Sequence, residues 1–460
     1  MEKNSNAIPA PVIAAVLATG LLSFSGVIVE TAMNIAFPTL MREFHVSTST
    51  VQWMTSIYLL VVAIIVPLSA IFKRAYPIKR LFLIANLAFF GGILIDVAAP
   101  SFGWLLIGRA VQGVGTGIAL PLMFNIILEQ VPRQRVGLMM GLANMITGIA
   151  PAIGPTFGGL VVDALGWRHI FYFLIPLLIL SLILGNWGIR QVSTLERAPI
   201  DWLSLCLIAV FFTGLMLGFS NLASEPFWSM QVFGSLLLGL VGMAMLVWRS
   251  FSIKTPILNL RLFCNQRFSG HVLGFFLTQI ISLGFAFLLP NYIQLVNHNT
   301  ALLAGLVVLP AGVAGALCGP LGGRMFDRLG ARRPIMFGVS ACLLSLVIFT
   351  LFARHMSNTF IVPVYILYMG GMGTCMGSVM TSALRTLTDG QQTDGNAILN
   401  TLQQFAGAMG TSLSAMVVAK SQLHLAGSQA YTTAVGTQNA FIMLTVLIVV
   451  VWLSYYRVVK

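Results

Sequence analysis

Charge is the scarcest property of this chain. Its 460 residues include 12 acidic and 25 basic side chains, 8% in all, where a soluble protein carries about a quarter. Hydrophobic residues make up 58%. That balance excludes a water-soluble fold of this length, so the chain takes the lipid bilayer as its solvent. Cysteine is scarce as well. Cys206, Cys264, Cys318, Cys342 and Cys375 form no Cys-x-x-Cys pair. They read as small packing residues, not disulfide partners or metal ligands. The six histidines show no metal spacing. Neither a Walker loop nor a Gly-x-Ser-x-Gly elbow occurs, so no enzyme chemistry, cofactor or metal is expected. Aromatic and basic residues do not interleave as a nucleic-acid platform would require. Alternating ten-residue segments are missing too, which excludes a closed β-barrel.

What remains is a series of long apolar runs. Fourteen can be drawn, from 12–35 to 438–456, within the roughly 12–15 spans that this length accommodates at about 20 residues each. With the N-terminus inside and the sides alternating, 20 of the 25 basic residues fall in inside segments and four outside, and Arg109 lies within a span. Positive charge marks the cytoplasmic side, so this asymmetry supports fourteen spans with both termini cytoplasmic. The net charge of +13 is thereby explained as orientation. The expected class is all-α integral membrane: a first six-helix bundle over 1–192, two inserted helices over 193–250 and a second six-helix bundle over 251–460.

Glu30, Arg109, Asp96 and Glu129 stand inside or close to these runs. Glu30 interrupts the first. An ionised carboxylate in hydrocarbon costs about 2.5–3.5 kcal/mol on insertion scales, so an acid kept there points to proton coupling. The alternative is a neutral, hydrogen-bonded Glu or one lining a wet vestibule. Arg109 needs an acceptor or water, and Glu30 and Asp96 are the candidates. Either Arg109 biases a nearby carboxyl's proton affinity or it forms a structural Arg–Asp pair with Asp96. Asp96 reads equally as a proton site or a boundary charge. Glu129 reads as a helix-end charge.

The fifth run contains Gly148-Ile149-Ala150-Pro151-Ala152-Ile153-Gly154-Pro155-Thr156-Phe157-Gly158-Gly159. Small residues let membrane helices approach closely, and proline permits a fixed kink. This segment, followed by Gly166-Trp167-Arg168-His169-Ile170-Phe171, resembles the antiporter motif of the major facilitator superfamily, in its fourteen-helix drug:proton antiporter branch. Gly154, Pro155, Gly158 and Gly159 carry the match. Arg109-Ala110-Val111-Gln112-Gly113 resembles the superfamily's Arg-x-x-Gln-Gly pattern. Ala36-Phe37-Pro38 and Val51-Gln52-Trp53 resemble the branch's first two helices, with Glu30 where the branch has an acid, more often Asp. Gly322-Gly323-Arg324-Met325-Phe326-Asp327-Arg328-Leu329-Gly330-Ala331-Arg332 resembles the cytoplasmic signature loop. The resemblance implies a gating latch at Gly323, Asp327, Arg328, Gly330 and Arg332. The first-half counterpart, Leu68–Arg80, keeps its basic cluster but lacks the glycines and the acid.

Polar and aromatic residues recurring in the spans could line an amphipathic cavity: Asn34, Gln52, Trp53, Tyr58, Gln112, Asn144, Gln279, Phe285, Asn400 and Gln403. The expected function is proton-coupled export of hydrophobic, often cationic compounds by rocker-switch alternating access. Its energy source would be a proton gradient, and its partners protons, small-molecule substrates and the bilayer. A monomer in a bacterial inner or plasma membrane is expected. Export of an endogenous lipid, peptide or metabolite is the alternative within the class. A non-transporting membrane sensor or scaffold is the alternative outside it.

Overall fold

The computed structural model describes residues 8–46, 48–192, 194–195, 201–221, 225–253, 256–424 and 426–459. The side chains at 34, 35, 38, 48, 49, 52, 56, 70, 152, 155, 163, 220, 301, 408 and 424 lie outside that description. The described residues form helices and no strand. The chain divides into two compact units, 1–200 and 201–460. The first unit holds α1 (Ala10–Ile35), α2 (Phe37–Phe44), α3 (Thr48–Ala75), α4 (Ile78–Ala98), α5 (Phe102–Gln130), α6 (Val136–Leu165) and α7 (Arg168–Gly188). The second holds α8 (Trp202–Asn221), α9 (Ser235–Ser252), α10 (Gln266–Leu295), α11 (Ala301–Leu329), α12 (Arg332–Phe352), α13 (Asn358–Arg385), α14 (Gln392–His424) and α15 (Gln429–Val458).

The two units repeat one packing scheme. In the first, α1 packs on α6 and α7, and α5 packs on α3 and α4. In the second, α10 packs on α14 and α15, and α13 packs on α11 and α12. Six helices of each unit therefore correspond in order, an internal repeat of the kind on which many transporters are built. The extra pair, α8 and α9, groups with the second unit. Its close approach is made by glycine: a Cβ on Gly214 would collide with the backbone of Gly239. Phe211, Phe212 and Phe219 of α8 pack their rings on Phe405 of α14, at 5.9–6.2 Å between centroids. Phe405 in turn stacks on Phe276 of α10.

Among the described residues, eleven helices are long and apolar enough to cross a membrane, or twelve when the bent α6 is taken as one span. The sequence leads one to expect fourteen. Two helices account for the difference. The apolar stretch of α3 covers only Trp53–Ser69, and α14 is interrupted by Asn396, Asn400, Thr401, Gln403 and Gln404. Buried polar residues inside a bundle lower the apolar score of a helix that is shielded from lipid by its neighbours. The bend in α6 is 42° between the segments ending at Pro151 and starting at Thr156, where proline removes a backbone donor.

The glycines of this bent segment have different duties. A Cβ on Gly154 would strike Thr31 Oγ1, and one on Gly158 would lie 2.5 Å from the Ala32 carbonyl oxygen. Both positions let α6 press against α1, immediately after Glu30. Gly159 faces open space.

A second device fixes the same end of the unit. Helix α2 carries Glu43, whose carboxylate accepts from Trp167 Nε1 at 2.7 Å and from Arg168 Nη1 at 2.7 Å. Arg168 also donates to the Ala99 carbonyl at 3.3 Å, and its guanidinium lies 4.2 Å from the Trp167 ring centroid. Phe44 packs on Phe102 and Trp167. This clasp joins α2 to the ends of α4, α5 and α6 and the start of α7. Partial burial opposes the charge on Glu43, but the hydrogen bonds from Trp167 and Arg168 and the guanidinium's charge outweigh it, holding the carboxyl below its ordinary 4.5.

Two predictions follow from these contacts. Gly158→Val should lower thermal stability in detergent by about 1–3 kcal/mol, the usual cost of overpacking, while Gly159→Val should leave it unchanged. Glu43→Gln should lower the unfolding midpoint at neutral pH. Because the folded carboxyl titrates below 4.5, the ionised clasp's contribution is fully present above that pH and fades as pH falls through the lowered value. The difference between wild type and Glu43→Gln in thermal unfolding should therefore close on acidification below 4.5.

Candidate functional site

Arg109 of α5 is completely buried. A guanidinium there must find acceptors inside the bundle, because no bulk water hydrates it. It finds three kinds. Its Nε donates to the Met54 carbonyl of α3 at 3.3 Å. Its Nη1 donates to Gln112 Oε1, one turn along α5, at 2.8 Å. Its carbon lies 4.2 Å from the centroid of the Tyr58 ring, a cation–π arrangement, whose value rises when both partners are desolvated. The Tyr58 hydroxyl then donates to Thr116 Oγ1 at 3.0 Å, so the ring is held at both ends.

Gln112 carries the arrangement onward. Its Nε2 donates to Asp96 Oδ2 of α4 at 2.7 Å. Asp96 and Gln112 are both fully buried. The direction of the Gln112 amide is dictated by Arg109: the guanidinium can only donate, so Oε1 turns to it and Nε2 to Asp96. Glycine makes this possible. A Cβ on Gly108 would overlap Asp96 Oδ1, and one on Gly92 would meet Gln112 and the Gly108 carbonyl. Among the described residues Arg109 forms no direct ion pair with either acid, in contrast to Lys73–Glu129, Arg168–Glu43 and Arg249–Asp201. The Arg109–Asp96 pairing that the sequence suggests is thus indirect, with one amide between the charges.

Glu30 of α1 lies within electrostatic reach of Arg109. Unlike Arg109 and Asp96 it is only half-buried. One turn earlier, Gly26 lets α1 close on α5 and α3: a Cβ there would strike Thr116 and lie 2.8 Å from the Tyr58 hydroxyl. The helix that carries the acid is therefore seated directly on the residues that hold the arginine.

The other expected site residues are scattered. Tyr58, Gln112, Phe285 and Asn400, read in the sequence as cavity-lining, are all buried. Tyr58 and Gln112 belong to the arginine's surroundings. Phe285 sits in a ring cluster with Phe349, Tyr365, Tyr368 and Phe441. Asn400 donates to the side chain and backbone of Asn396. Trp53 is 43% exposed, and Gln279 and Gln403 are half-buried. Asn144 is half-buried and bonds back to the Met140 carbonyl. The side chains of Asn34, Gln52 and Pro155 lie outside the described residues. A cavity of about 320 Å³ opens elsewhere, lined by Pro9, Val12, Glu129, Gln130 and Arg190 among others.

The expected gating loop is mostly helix. Gly323, Asp327 and Arg328 belong to the last turns of α11, and only Gly330 and Ala331 connect it to α12. Gly330 has φ +79°, the left-handed region in which glycine is at ease. Gly322 serves close approach instead of a turn: its would-be Cβ collides with Thr374 of α13, and its carbonyl accepts from Ser378. The Arg332 guanidinium lies 5.3 Å from the Tyr456 ring centroid. In the first unit, Lys73 of the basic cluster pairs with Glu129, so that helix-end acid ties α3 to α5. Sequence reasoning missed this pair, Thr116 and the Glu43 clasp. Only the acid at 43, in a short amphipathic stretch before the second span, could have signalled the last.

The model of the Major Facilitator Superfamily matches residues 19–411. The lincomycin resistance protein LmrB of Listeria innocua is 34% identical over 448 residues, covering 94% of this chain and 93% of that protein. LmrB of Bacillus subtilis is 36% identical over 404 residues, 87% of this chain and 84% of that one. A multidrug resistance protein B homolog of Mycobacterium tuberculosis is 28% identical, covering 87% and 77%. Among solved structures, the proton:xylose symporter XylE aligns over 99% of this chain and 97% of its own, with a TM-score of 0.69 and 14% identity. The human organic anion transporter MFSD10 aligns over 96% and 100%, with a TM-score of 0.64 and 16% identity. With the family model spanning most of the chain, the relatives at over 30% identity and the repeated six-helix packing, this multi-pass membrane protein belongs to the Major Facilitator Superfamily.

Proposed function

We propose that the protein is a proton-coupled exporter of hydrophobic and cationic small molecules, lincosamide-like antibiotics among them. The relatives named for lincomycin and multidrug resistance support the substrate class. The observation that carries the coupling is Glu30: a half-buried acid on a membrane helix, within reach of a fully buried cation. Its partial exposure gives water and cargo access, while Arg109 and Asp96 are sealed.

In this reading Glu30 holds one of two occupants. An ionised Glu30 attracts a cationic or polar group of the cargo, and the low dielectric strengthens that attraction. A proton arriving from outside neutralises Glu30 and releases the cargo there. The neutral acid then removes the cost of carrying a carboxylate through an apolar environment, about 2.5–3.5 kcal/mol, as the two halves rock to the inward-facing state. Loss of the proton inside reopens the site for cargo. The proton gradient supplies the energy. In this reading both termini lie in the cytoplasm of a bacterial cell and the working unit is a monomer, supported by the repeat of one packing scheme within the chain.

The test is flux in proteoliposomes with tetraphenylphosphonium and lincomycin as cargo. Glu30→Gln should abolish export driven by an imposed proton gradient and substrate-driven proton release, while the variant purifies as a folded protein. Undiminished proton release from folded Glu30→Gln would reject the role of this carboxyl. Gradient-driven movement of neither cargo by wild type would reject the substrate class.

A further inference from the structure

We propose that the second unit binds an anionic phospholipid where α12 begins beside the end of α15, with Arg332 holding the headgroup phosphate and the exposed faces of the two helices taking the acyl chains. The site is independent of the cargo and of the coupling proposed above.

Helices α11, α12 and α15 carry five arginines, Arg324, Arg328, Arg332, Arg333 and Arg457, against one acid, Asp327. All five arginines are exposed, while Asp327 is half-buried and engaged by other groups. Elsewhere the protein itself settles cations at helix ends. Lys73 pairs with Glu129 and Arg249 with Asp201, Lys79 donates to the Asn186 carbonyl, and Arg261 donates to the carbonyls of Phe251 and Ile253. Arg332 differs. Among the described residues its guanidinium makes no hydrogen bond or ion pair, and it lies 5.3 Å from the centroid of the Tyr456 ring. A ring face attracts a cation but offers no lone pair to the five N–H donors of an arginine.

The ring is itself held in place. Tyr456 stacks on Trp452, one turn earlier on α15, with centroids 5.4 Å apart and planes 7° from parallel. Trp452 Nε1 then donates to Ser340 Oγ of α12 at 3.0 Å. The stack thus ties α15 to α12 and sets the position of the arginine. Orientation by positive charge accounts for basic residues at a helix end, but it requires neither a ring platform nor a fixed guanidinium.

Beyond the arginines both helices turn apolar side chains outward. On α12, Phe337 and Leu344 are exposed and follow Arg333 at helical spacing; on α15, Val446, Val450 and Leu453 are exposed at the same kind of spacing. A cation above an apolar wall, with an indole and a phenol at the boundary, matches an amphiphile part by part. The guanidinium fork suits a phosphate, the two rings suit the interfacial level, and the wall suits hydrocarbon. The excess of arginine over acid favours a headgroup with net negative charge over a zwitterion. In the orientation proposed above, this end meets the cytoplasmic leaflet.

The experiment is native mass spectrometry of the purified full-length protein titrated with dioleoylphosphatidylglycerol or dioleoylphosphatidylcholine, with thermal unfolding as the check on folding. Wild type should retain phosphatidylglycerol in preference to phosphatidylcholine. Arg332→Gln should weaken the tightest phosphatidylglycerol binding about fivefold, the worth of one arginine beside an anionic lipid. Tyr456→Leu keeps every charge and should weaken it about two- to fivefold, because the guanidinium loses its ring. Arg135→Gln removes an exposed arginine of the first unit and should leave it unchanged. Should Arg332→Gln or Tyr456→Leu fail to fold, the other reads the same loss. Equal retention of the two lipids by wild type would overturn the proposal. So would equal losses in Arg332→Gln and Arg135→Gln, or unchanged binding in folded Tyr456→Leu. Displacement of the lipid by an equal concentration of inorganic phosphate would overturn the lipid in favour of a simple anion.

Discussion

A guanidinium without water governs the first half of this molecule. Arg109 cannot shed its proton in a protein, so the bundle must be built around a permanent charge. Helix α3 answers it with a carbonyl and an aromatic face, and α5 itself with an amide. Each answer demands closeness, and each close approach demands a missing side chain. Gly26, Gly92 and Gly108 stand where a methyl group would meet the atoms that surround the arginine. The glycine content of these helices is thus partly the steric consequence of one charge.

The same economy governs the rest of the chain. Charges that reach the helix ends are settled locally: Lys73 with Glu129, Arg168 with Glu43, Arg249 with Asp201. Pairs of this kind on part-exposed surfaces contribute little stability, about 0–1 kcal/mol, but they fix which helix ends stay together. The repeat of one packing scheme in both units shows how little of it depends on charge. The second unit builds the corresponding helix pairs and carries a ring cluster at Phe285, whereas the first holds a buried arginine.

Much of this was legible in the amino-acid order, and the reasons differ by residue. Glu30 and Arg109 announce themselves because a charge in an apolar run is visible without any contact. The family could be read because its motifs are contiguous. The role of Gln112 was not legible. An amide on a membrane helix looks the same whether it lines a wall or bridges two buried charges; only the third dimension places Asp96 across from it. The ring neighbours of Phe285 were not legible for the parallel reason, since an aromatic ring suits a pocket and a core equally. The glycines of the signature segment suggested a turn, yet Gly322 and Gly323 continue a helix, because close approach to α13 and a tight turn make the same request of the side chain. The count of spans blurred at α14, where shielding by neighbours permits polar residues that a window of hydropathy penalises.

The extra helix pair depends on a different kind of bond. Rings of α8 meet Phe405 edge-on and tilted, with centroids about 6 Å apart, and such contacts tolerate several geometries at similar energy. The outer face of α9, with Leu238, Leu240 and Trp248 exposed, offers no competing attachment to the bundle. The pair is thus attached to α14 through ring faces and edges, a non-directional contact that leaves the polar side chains of α14 outside the joint.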